Sequence, residues 1–440
     1  MPTSFSISGG TIVTPSRVRS SNGIRIEGDR VAGVGRSRAL VSKRDIRVPD
    51  GTFVFPALLN IHDHMRGNYL PRVGPSGGRF YTMWSDWNDD LQASDTVAER
   101  NRALGIADIY ALSSYKNILS GVATVHDHFP HAWNEPFVSR QPLNVVREYT
   151  IAHDVSRYAL PWGSGVRREH RLAKKKGWPF ITHLEEGFDA EVQAGVDLLE
   201  RLRCLDDHTV MIHCIGFSDD DIRRVARAGA HVVWCAASNI YMFNVTCRVR
   251  KMIDNGVNVS IGTDSTHTGA INMFEEIRFA RRTYRQMYNE DIEASALVEM
   301  VTTNPARALR LDGVSGCLAE GARADVLIID PRHDDPHEAL VGARVGDVEL
   351  LTSAGTPLYG SPKFEELFAA ADLARFGGYT RVRVQGKQKL VVGDPVGMLR
   401  QLRKAIGKHK NLEFLPVEEP LPRAGKRTAS GPRRARVRHA

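Results

Sequence analysis

Residues 179–235 read PFITHLEEGFDAEVQAGVDLLERLRCLDDHTVMIHCIGFSDDDIRRVARAGAHVVWC, and this stretch decides how the rest of the chain is interpreted. Three short apolar runs alternate with two stretches of helical periodicity: PFITH (179–183), 189–203, TVMIH (209–213), 219–229 and HVVWC (231–235). Short apolar runs are typical of buried strands, and the longer stretches between them predict amphipathic helices. Strands joined through helices run parallel, because a parallel pair needs a long crossover connection.

The same pattern extends in both directions from this stretch. Four more apolar runs have the features of buried strands: ALLNIH (57–62), VATVH (122–126), LNVVREYTIAH (143–153) and VNVSIGTD (257–264). Seven strands alternating with helices indicate an α/β fold, a (β/α)8 TIM-like barrel. The eighth strand is then expected to be short and to fall within 154–163.

Both ends of the chain differ from this centre. Short strand patterns punctuated by Gly and Pro fill 4–54 and recur over 321–393. We therefore expect a small composite β-sandwich domain formed by both chain ends. The predicted boundaries are 1–55 for the first sandwich part, 56–318 for the barrel, 319–400 for the second sandwich part and 401–440 for a C-terminal extension with a basic, disordered tail.

Charge and composition indicate which kinds of binding partner the protein needs. The net charge is +8, but seven basic residues within 423–438, with no acid among them, account for nearly all of it. The rest of the chain is almost neutral, so no nucleic-acid partner is required. No apolar run is long enough to span a membrane, no secretion signal opens the chain, and the five cysteines form no C-x-x-C pair. These features predict a cytoplasmic protein, and they leave a homo-oligomer open.

Ionisable residues recur at the ends of the predicted strands. Barrel enzymes place their working residues at the carboxyl ends of the strands, and here these positions hold His62, His64, His183, His213 and Asp264. Side chains two apart on an extended segment point the same way, so both histidines of the first pair can reach one ion. Three imidazoles and a carboxylate suit a divalent metal. We predict one ion held by His62, His64, His183 and Asp264, zinc first, with iron or manganese as alternatives.

Each of these histidines also has a structural interpretation. With sixteen histidines in the chain, a single His-x-His pair has little specificity, and His126 and His128 form a second pair at another strand end. That second pair either lines the substrate pocket or consists of hydrogen-bonded strand-end residues. His213 could likewise be a hydrogen-bonded barrel histidine. The ordered series at strand ends, rather than any one pair, supports the metal site.

The segment after the first barrel strand is long for a loop. Residues 65–90 contain Trp84 and Trp87, which could cover a planar substrate as a lid does, and Arg66, which could meet an anionic substituent. The alternative is a surface loop that packs on itself.

An ordered set of segments resembles the amidohydrolase superfamily, in particular its cytosine, guanine and triazine-type aminohydrolases. The likeness covers about residues 5–395 and includes PALLNIHDH (56–64), GVATVHD (121–127), THLEEG (182–187), MIHC (211–214), SN (238–239), SIGTDS (260–265) and LAEGARADVLIID (318–330). The resemblance implies the same four metal ligands, His213 as the strand-six histidine and Glu186 as the acid/base of a His-x-x-E motif. It also makes Asn239 a substrate-binding candidate. No lysine lies in a plausible fourth strand, which favours one metal over two.

The resemblance implies the deamination of an amino-substituted heterocycle (a purine, pyrimidine, triazine or pterin-like small molecule) to a carbonyl compound and ammonia. A divalent metal lowers the pKa of bound water from about 15.7 toward 7. Asp264 would take the proton of the water, His213 would orient it and Glu186 would protonate the leaving amine, while its neighbour Glu185 is expected to be solvated. The alternatives are hydrolysis of a cyclic amide, an imine or a carbon–halogen bond at the same site and, more remotely, a catalytically inactive barrel that acts as a binding protein.

Overall fold

The structure is a computed structural model of the 440-residue chain. It describes residues 4–14, 17–20, 23–35, 40, 42–75 and 78–418. The basic stretch at 423–438 lies outside the described residues, so the expectation of a disordered tail stays a prediction. Among the described helices, none is both long and apolar enough to cross a membrane.

The N-terminal part consists of short strands, as its sequence predicts. These are β1 (Ser4–Ser8), β2 (Thr11–Thr14), β3 (Arg17–Ser20), β4 (Gly23–Glu27), β5 (Arg30–Gly35), β6 (Asp45–Arg47) and β7 (Phe53–Pro56). Four of them form a sheet in the order β5-β4-β1-β6.

Eight strands that pair only in parallel form the centre of the molecule. They are β8 (Leu58–Asp63), β9 (Val122–Asp127), β10 (Asn144–Val145), β11 (Thr150–Ile151), β12 (Phe180–Leu184), β13 (Thr209–His213), β14 (His231–Trp234) and β15 (Asn258–Ile261). They lie in two sheets, ordered β10-β9-β8 and β11-β12-β13-β14-β15. Just beyond β15, the backbone amide of Asp264 donates to the carbonyl of His62 at 3.0 Å, which links the carboxyl ends of β15 and β8.

The eighth strand is not where the sequence predicted it. Residues 143–153, which we expected to form one strand, contain both β10 and β11, and 154–163 contains no strand. Arg147 and Glu148 are exposed and separate the two pieces. Because each piece pairs with a different sheet, the polar interruption in an otherwise apolar run marks a boundary between strands.

Strands from both ends of the chain share one sheet. The C-terminal strands are β16 (Val326–Ile329), β17 (Val348–Ser353), β18 (Thr356–Gly360), β19 (Tyr379–Val384), β20 (Lys387–Val392) and β21 (Val417–Glu418). They join N-terminal strands in a nine-stranded sheet of order β21-β19-β20-β18-β17-β16-β7-β2-β3. All residues of β7 and β16 are buried, and these strands pair antiparallel with Phe55 opposite Leu327. Burying each such side chain contributes about 1.5–3 kcal/mol, which holds the two ends together.

Helices lie in most connections between the central strands and also follow them. Those between β8 and β15 are α1 (Trp84–Ala93), α2 (Asp95–Ala103), α3 (Ile106–Ile118), α4 (His131–Val138), α5 (Val166–Lys176), α6 (Gly195–Arg201), α7 (Asp219–Ala228), α8 (Ala236–Phe243) and α9 (Val249–Asp254). Those after β15 are α10 (Met273–Tyr288), α11 (Ala294–Glu299), α12 (Thr303–Ala308), α13 (Pro336–Val341), α14 (Glu365–Ala370) and α15 (Pro395–Ile406). Helix α7 shows how the sequence sets its bounds. The Ser218 side chain and Asp221 form a capping box at its start, and Gly229 ends it in the left-handed conformation.

Candidate metal centre

The two histidines at the end of β8 lie at the centre of the candidate site. His62 is fully buried, and neither of its ring nitrogens has a hydrogen-bond partner. Its Nε2 lies 3.7 Å from Asp264 Oδ1, and the Nε2 of His64 lies 3.8 Å from the same oxygen. Buried polar groups without partners are costly, so the unpaired His62 ring fits a metal ligand better than a structural residue.

His183 and His213 bring two more imidazoles to the same place. Their ring centroids lie 5.2 and 5.7 Å from that of His62, and the two rings stack on each other at 5.3 Å. The ligand atoms of His62, His183 and His213 all lie within 4.8 Å of one another, as do those of His62, His64 and Asp264. Zinc binds such atoms at about 2.0–2.2 Å, so a small contraction would let these side chains surround one ion.

Hydrogen bonds on the far side of two rings fix their orientation. His183 Nδ1 donates to the backbone carbonyl of His153 at 2.7 Å, and His213 Nδ1 donates to Asn239 Oδ1 at 2.8 Å. Each bond leaves the Nε2 atom facing the cluster, which is how outer partners orient metal-binding histidines. Asn239 is fully buried, and its Nδ2 donates to Thr246 Oγ1, so its amide group bridges His213 and Thr246. Contact of Asn239 with a substrate stays a prediction.

The carboxylate of Asp264 is held with one oxygen free. Its Oδ2 accepts from Ser238 Oγ at 2.7 Å and from Thr268 Oγ1 at 3.2 Å, so Oδ1 faces the histidines. Burial alone would raise the pKa of Asp264, but the neighbouring His64 and His213 hold it below its ordinary value. The group is therefore ionised at neutral pH, as a metal ligand must be.

A buried lysine supports the cluster from behind. Lys116 on α3 has no exposed surface, and its Nζ donates to Asp63 Oδ1 at 3.1 Å, Asn68 Oδ1 at 3.0 Å and the Asp264 carbonyl at 2.6 Å. Asn117 donates to the other oxygen of Asp63 at 3.0 Å. This group ties the segment between His62 and His64 to the end of β15. Our sequence analysis missed it, because Lys116 stands among other polar residues of α3 and no local pattern shows which residues it contacts.

Glu186 and Glu185 point in different directions. Glu186 is nearly buried and its Oε1 lies 3.5 Å from His213 Nε2. Burial, followed by the charges of Asp264 and Asp154, raises the pKa of Glu186 well above its ordinary value, which favours the protonated carboxyl group. Glu185 accepts from the Val196 amide at 3.1 Å, away from the cluster. The expectation of a solvated Glu185 is wrong: its side chain is buried, which raises its pKa to about 8.

His126 and His128, the second histidine pair, have different surroundings. His128 is fully buried with both ring nitrogens unpartnered, and its ring lies 4.3 Å from that of His183 and 5.5 Å from that of His64. His126 instead hydrogen-bonds the Ile61 carbonyl through Nδ1 at 3.2 Å. Of the two, His128 is therefore the one placed against the cluster.

Of the two lid tryptophans, one reaches the site. The Trp84 ring lies 4.4 Å from the ring of His153, and its amide donates to the Glu186 carbonyl at 3.3 Å. Trp87 donates its Nε1 to the Val73 carbonyl at 3.0 Å and so packs on its own segment. The sequence analysis did not single out His153, although it ends the predicted strand 143–153 and so had the same strand-end signal as the other histidines.

Aromatic side chains form a wall that leads outward from His64. The rings of Phe129 and Trp162 lie 5.3 and 6.4 Å from the His64 ring, and Trp133 lies 5.8 Å from Trp162. Arg66 lies at the outer end of this wall, with its guanidinium carbon 5.6 Å from the centroid of the Phe129 ring. The surface is suited to a planar ring next to the histidine cluster.

Both the sequence and the fold are similar to those of known proteins. The model of the amidohydrolase family matches residues 168–362, which include β12 to β17 and the positions of His183, His213 and Asp264. Over these residues the chain is similar to the amidohydrolase family. Among solved structures, the chain resembles a zinc-bound adenosine deaminase from Xanthomonas campestris, with a TM-score of 0.70, 18% identity and coverage of 92% of this chain and 99% of that one. It also resembles zinc-bound atrazine chlorohydrolase from Arthrobacter aurescens, with a TM-score of 0.66, 18% identity and coverage of 83% and 98%. At these identities the likeness concerns the fold.

Two sequence relatives of the chain carry the same name. The 5-methylthioadenosine/S-adenosylhomocysteine deaminase of Pyrococcus abyssi is 32% identical over 170 residues, which is 36% of this chain and 40% of that protein. The protein of the same name from Syntrophobacter fumaroxidans is 25% identical over 366 residues, or 71% of this chain and 80% of that protein. The chain spans 40–54% of the length of the first three curated relatives it matches.

Proposed function

We propose that this protein is an amidohydrolase that removes an amino group from a planar heterocycle (purine, pyrimidine, triazine or pterin-like), giving the carbonyl compound and ammonia. The observation that carries the proposal is Glu186, a buried carboxyl with a raised pKa, 3.5 Å from His213 beside the histidine cluster. An amine leaves as ammonia only after it gains a proton, and a positioned neutral carboxyl supplies one. The deaminase names of the sequence relatives support the same reaction.

The donor set fits one divalent metal, with zinc as our first choice. His62 has two unpartnered buried nitrogens, and His64, His183 and Asp264 complete a set of three imidazoles and one carboxylate, which zinc prefers. The zinc-bound structural neighbours agree with this choice. A metal held there would lower the pKa of a water toward neutrality.

The side chains divide the proton transfers among them. Asp264 keeps Oδ1 free to accept the proton of the attacking water, because Ser238 and Thr268 occupy Oδ2. His213, oriented by Asn239, directs Nε2 toward that water. Glu186 first protonates the ring nitrogen, then takes up the proton of the hydroxyl group on the attacked carbon and passes it to the amino group, which departs as ammonia. The water proton held by Asp264 returns to Glu186 and restores both carboxyl groups for the next turnover. The aromatic wall holds the heterocycle and excludes water from its faces.

We also propose how the sheets are grouped into domains. We infer that the two central sheets are arcs of one (β/α)8 barrel, supported by the hydrogen bond from the Asp264 amide to the His62 carbonyl across the β15–β8 junction. We infer a composite sandwich from the two terminal sheets, with boundaries at 1–55, 56–318, 319–400 and 401–440. A sheet shared by β7 and β16 supports that grouping.

Ammonia release by the zinc-loaded protein tests the reaction. The panel is adenosine, 5-methylthioadenosine, guanine, cytosine, melamine and pterin, with ammonia measured by a coupled glutamate dehydrogenase assay. We expect release from at least one compound, and its loss after chelation and in Asp264→Asn. Chloride release from a chlorotriazine, or ring opening of a cyclic amide without ammonia, would place one of the alternative hydrolyses first.

A further inference from the structure

We propose that Arg66 forms an anion-binding subsite at the outer end of the aromatic wall, so that the substrate is a planar amino-heterocycle carrying an anionic substituent. This inference rests on the proposed function, which supplies the heterocycle. The substituent would be a carboxylate or a phosphate, since both offer paired oxygens to a guanidinium.

The position of Arg66 is the first step of the argument. It follows His64 by two residues, in the short 3-10 helix Met65–Gly67, and its guanidinium lies 5.6 Å from the centroid of Phe129 and 5.9 Å from that of Trp133. The Phe129 ring itself contacts His64 at 5.3 Å. A ring bound beside the histidine cluster would therefore direct a substituent along this wall toward the guanidinium.

The aromatic contact leaves the hydrogen-bonding capacity of Arg66 available. A guanidinium within about 6 Å of an aromatic centroid is attracted by the face of the ring. That attraction uses the face of the guanidinium, whereas its N–H groups lie along the edge. Within the described part of the chain, no carboxylate forms an ion pair with Arg66 and no acceptor takes a hydrogen bond from its guanidinium. The side chain is thus held in place with its donors unused.

A second arginine adds to the positive charge at this end of the wall. Arg100 donates through Nη1 to the Arg66 carbonyl at 2.8 Å and also has no carboxylate partner among the described residues. Burial and then the charge of Arg66 lower the pKa of Arg100 to about 10, which shows that the two charges act on each other. The neighbouring Glu99 does not neutralise them, because Lys408 and Lys410 each bind it at 2.8 Å. An anion placed here would relieve this repulsion.

Binding of matched ligand pairs tests the subsite. The pairs are pterin against pterin-6-carboxylate and adenosine against adenosine 5′-monophosphate, measured by isothermal titration calorimetry. The zinc-loaded protein carries Glu186→Gln so that turnover does not interfere. Because hydrogen bonds to charged groups contribute about 1.5–3 kcal/mol, we expect the anionic member of at least one pair to bind at least about 10-fold more tightly. Which pair responds distinguishes carboxylate from phosphate.

The ratio of the two dissociation constants within a pair is the readout. Arg66→Met in the same background should bring this ratio close to one, whereas Arg168→Met, which removes an exposed arginine on α5, should leave it unchanged. Equal affinities within both pairs, no binding by any of the four compounds, or a ratio that survives Arg66→Met would each overturn the subsite. Ammonia release by the wild-type protein is scored separately: its absence together with an Arg66-dependent ratio rejects the deaminase proposal and leaves the subsite standing.

Discussion

Replacing Lys116 by Met removes the one cation that lies buried behind the histidine cluster in the described structure. The change keeps the length of the side chain but deletes three hydrogen bonds, to Asp63, to Asn68 and to the carbonyl of Asp264. Asp63 remains buried and ionisable without its counter-charge. Breaking a buried ion pair on one side costs about 3–5 kcal/mol, because the remaining charge is left uncompensated. At about 1 °C per kcal/mol for a chain of this length, this corresponds to about 3–5 °C in Tm.

Lys116→Met should also weaken metal binding. Lys116 fixes the backbone of Asp264 and, through Asp63, the segment between His62 and His64, so its removal should loosen three of the four proposed ligands. Removing a residue that orients metal ligands through hydrogen bonds weakens metal binding by about 10–100-fold. Stability is measured by thermal unfolding of the metal-free protein, since bound metal would stabilise the folded state, and zinc affinity is measured by competition with a chromogenic chelator.

Lys389 provides a matched control. It is as buried as Lys116, and its Nζ hydrogen-bonds the Val348 carbonyl and Glu349 within the nine-stranded sheet. Lys389→Met should lower Tm and leave zinc affinity as in the wild type. If Lys116→Met binds zinc as tightly as the wild type, or if both variants weaken zinc equally, the positioning role of Lys116 is refuted.

Three further outcomes are expected. Glu186→Gln should retain metal and lower the turnover rate by at least about 10²-fold. Glu185→Gln should change the turnover rate little, because its amide oxygen can still accept the hydrogen bond from the backbone. The reverse result would exchange the roles of the two residues. Burial lowers the pKa of His170, but its hydrogen bonds to Asp206 and Cys204 and their charges together outweigh burial and raise this pKa to about 9. The stabilisation is therefore complete below pH 6.5 and disappears as the pH rises to about 9. Urea unfolding at pH 6 and pH 9.5 should show this loss in the wild type and not in His170→Gln. Elemental analysis should give about one divalent metal per chain, and a reproducible two would reject the single-metal model.

The repeated strand ends are what made the site predictable from the sequence. His62, His183, His213 and Asp264 each follow an apolar run of a kind that sequence patterns identify well, and parallel strands bring their carboxyl ends together. The structure places these side chains in one cluster. The prediction of one strand over 143–153 failed because two strands of two residues each are too short to produce a periodicity of their own.

The residues that orient the cluster could not be found in this way. Asn239 and Lys116 act through contacts with residues distant in the chain, and no local pattern reports such a contact. For example, the bond from His213 to Asn239 joins positions 26 residues apart, and that from Lys116 to Asp264 joins positions 148 apart. Only the fold decides which polar residue faces the second nitrogen of a histidine.

The backbone at the strand ends explains why those orienting contacts matter. His213 and Asp264 have φ angles of 72° and 55°, in the left-handed region that residues other than glycine seldom adopt. Such conformations are unfavourable by about 1–3 kcal/mol each, and they persist where surrounding bonds hold them. At Asp264 those bonds are visible: its amide donates to the His62 carbonyl, and its own carbonyl accepts from Lys116. The same two bonds set the distance from the Asp264 carboxylate to His62, so the geometry of the proposed metal site depends on a backbone conformation that the buried lysine helps to maintain.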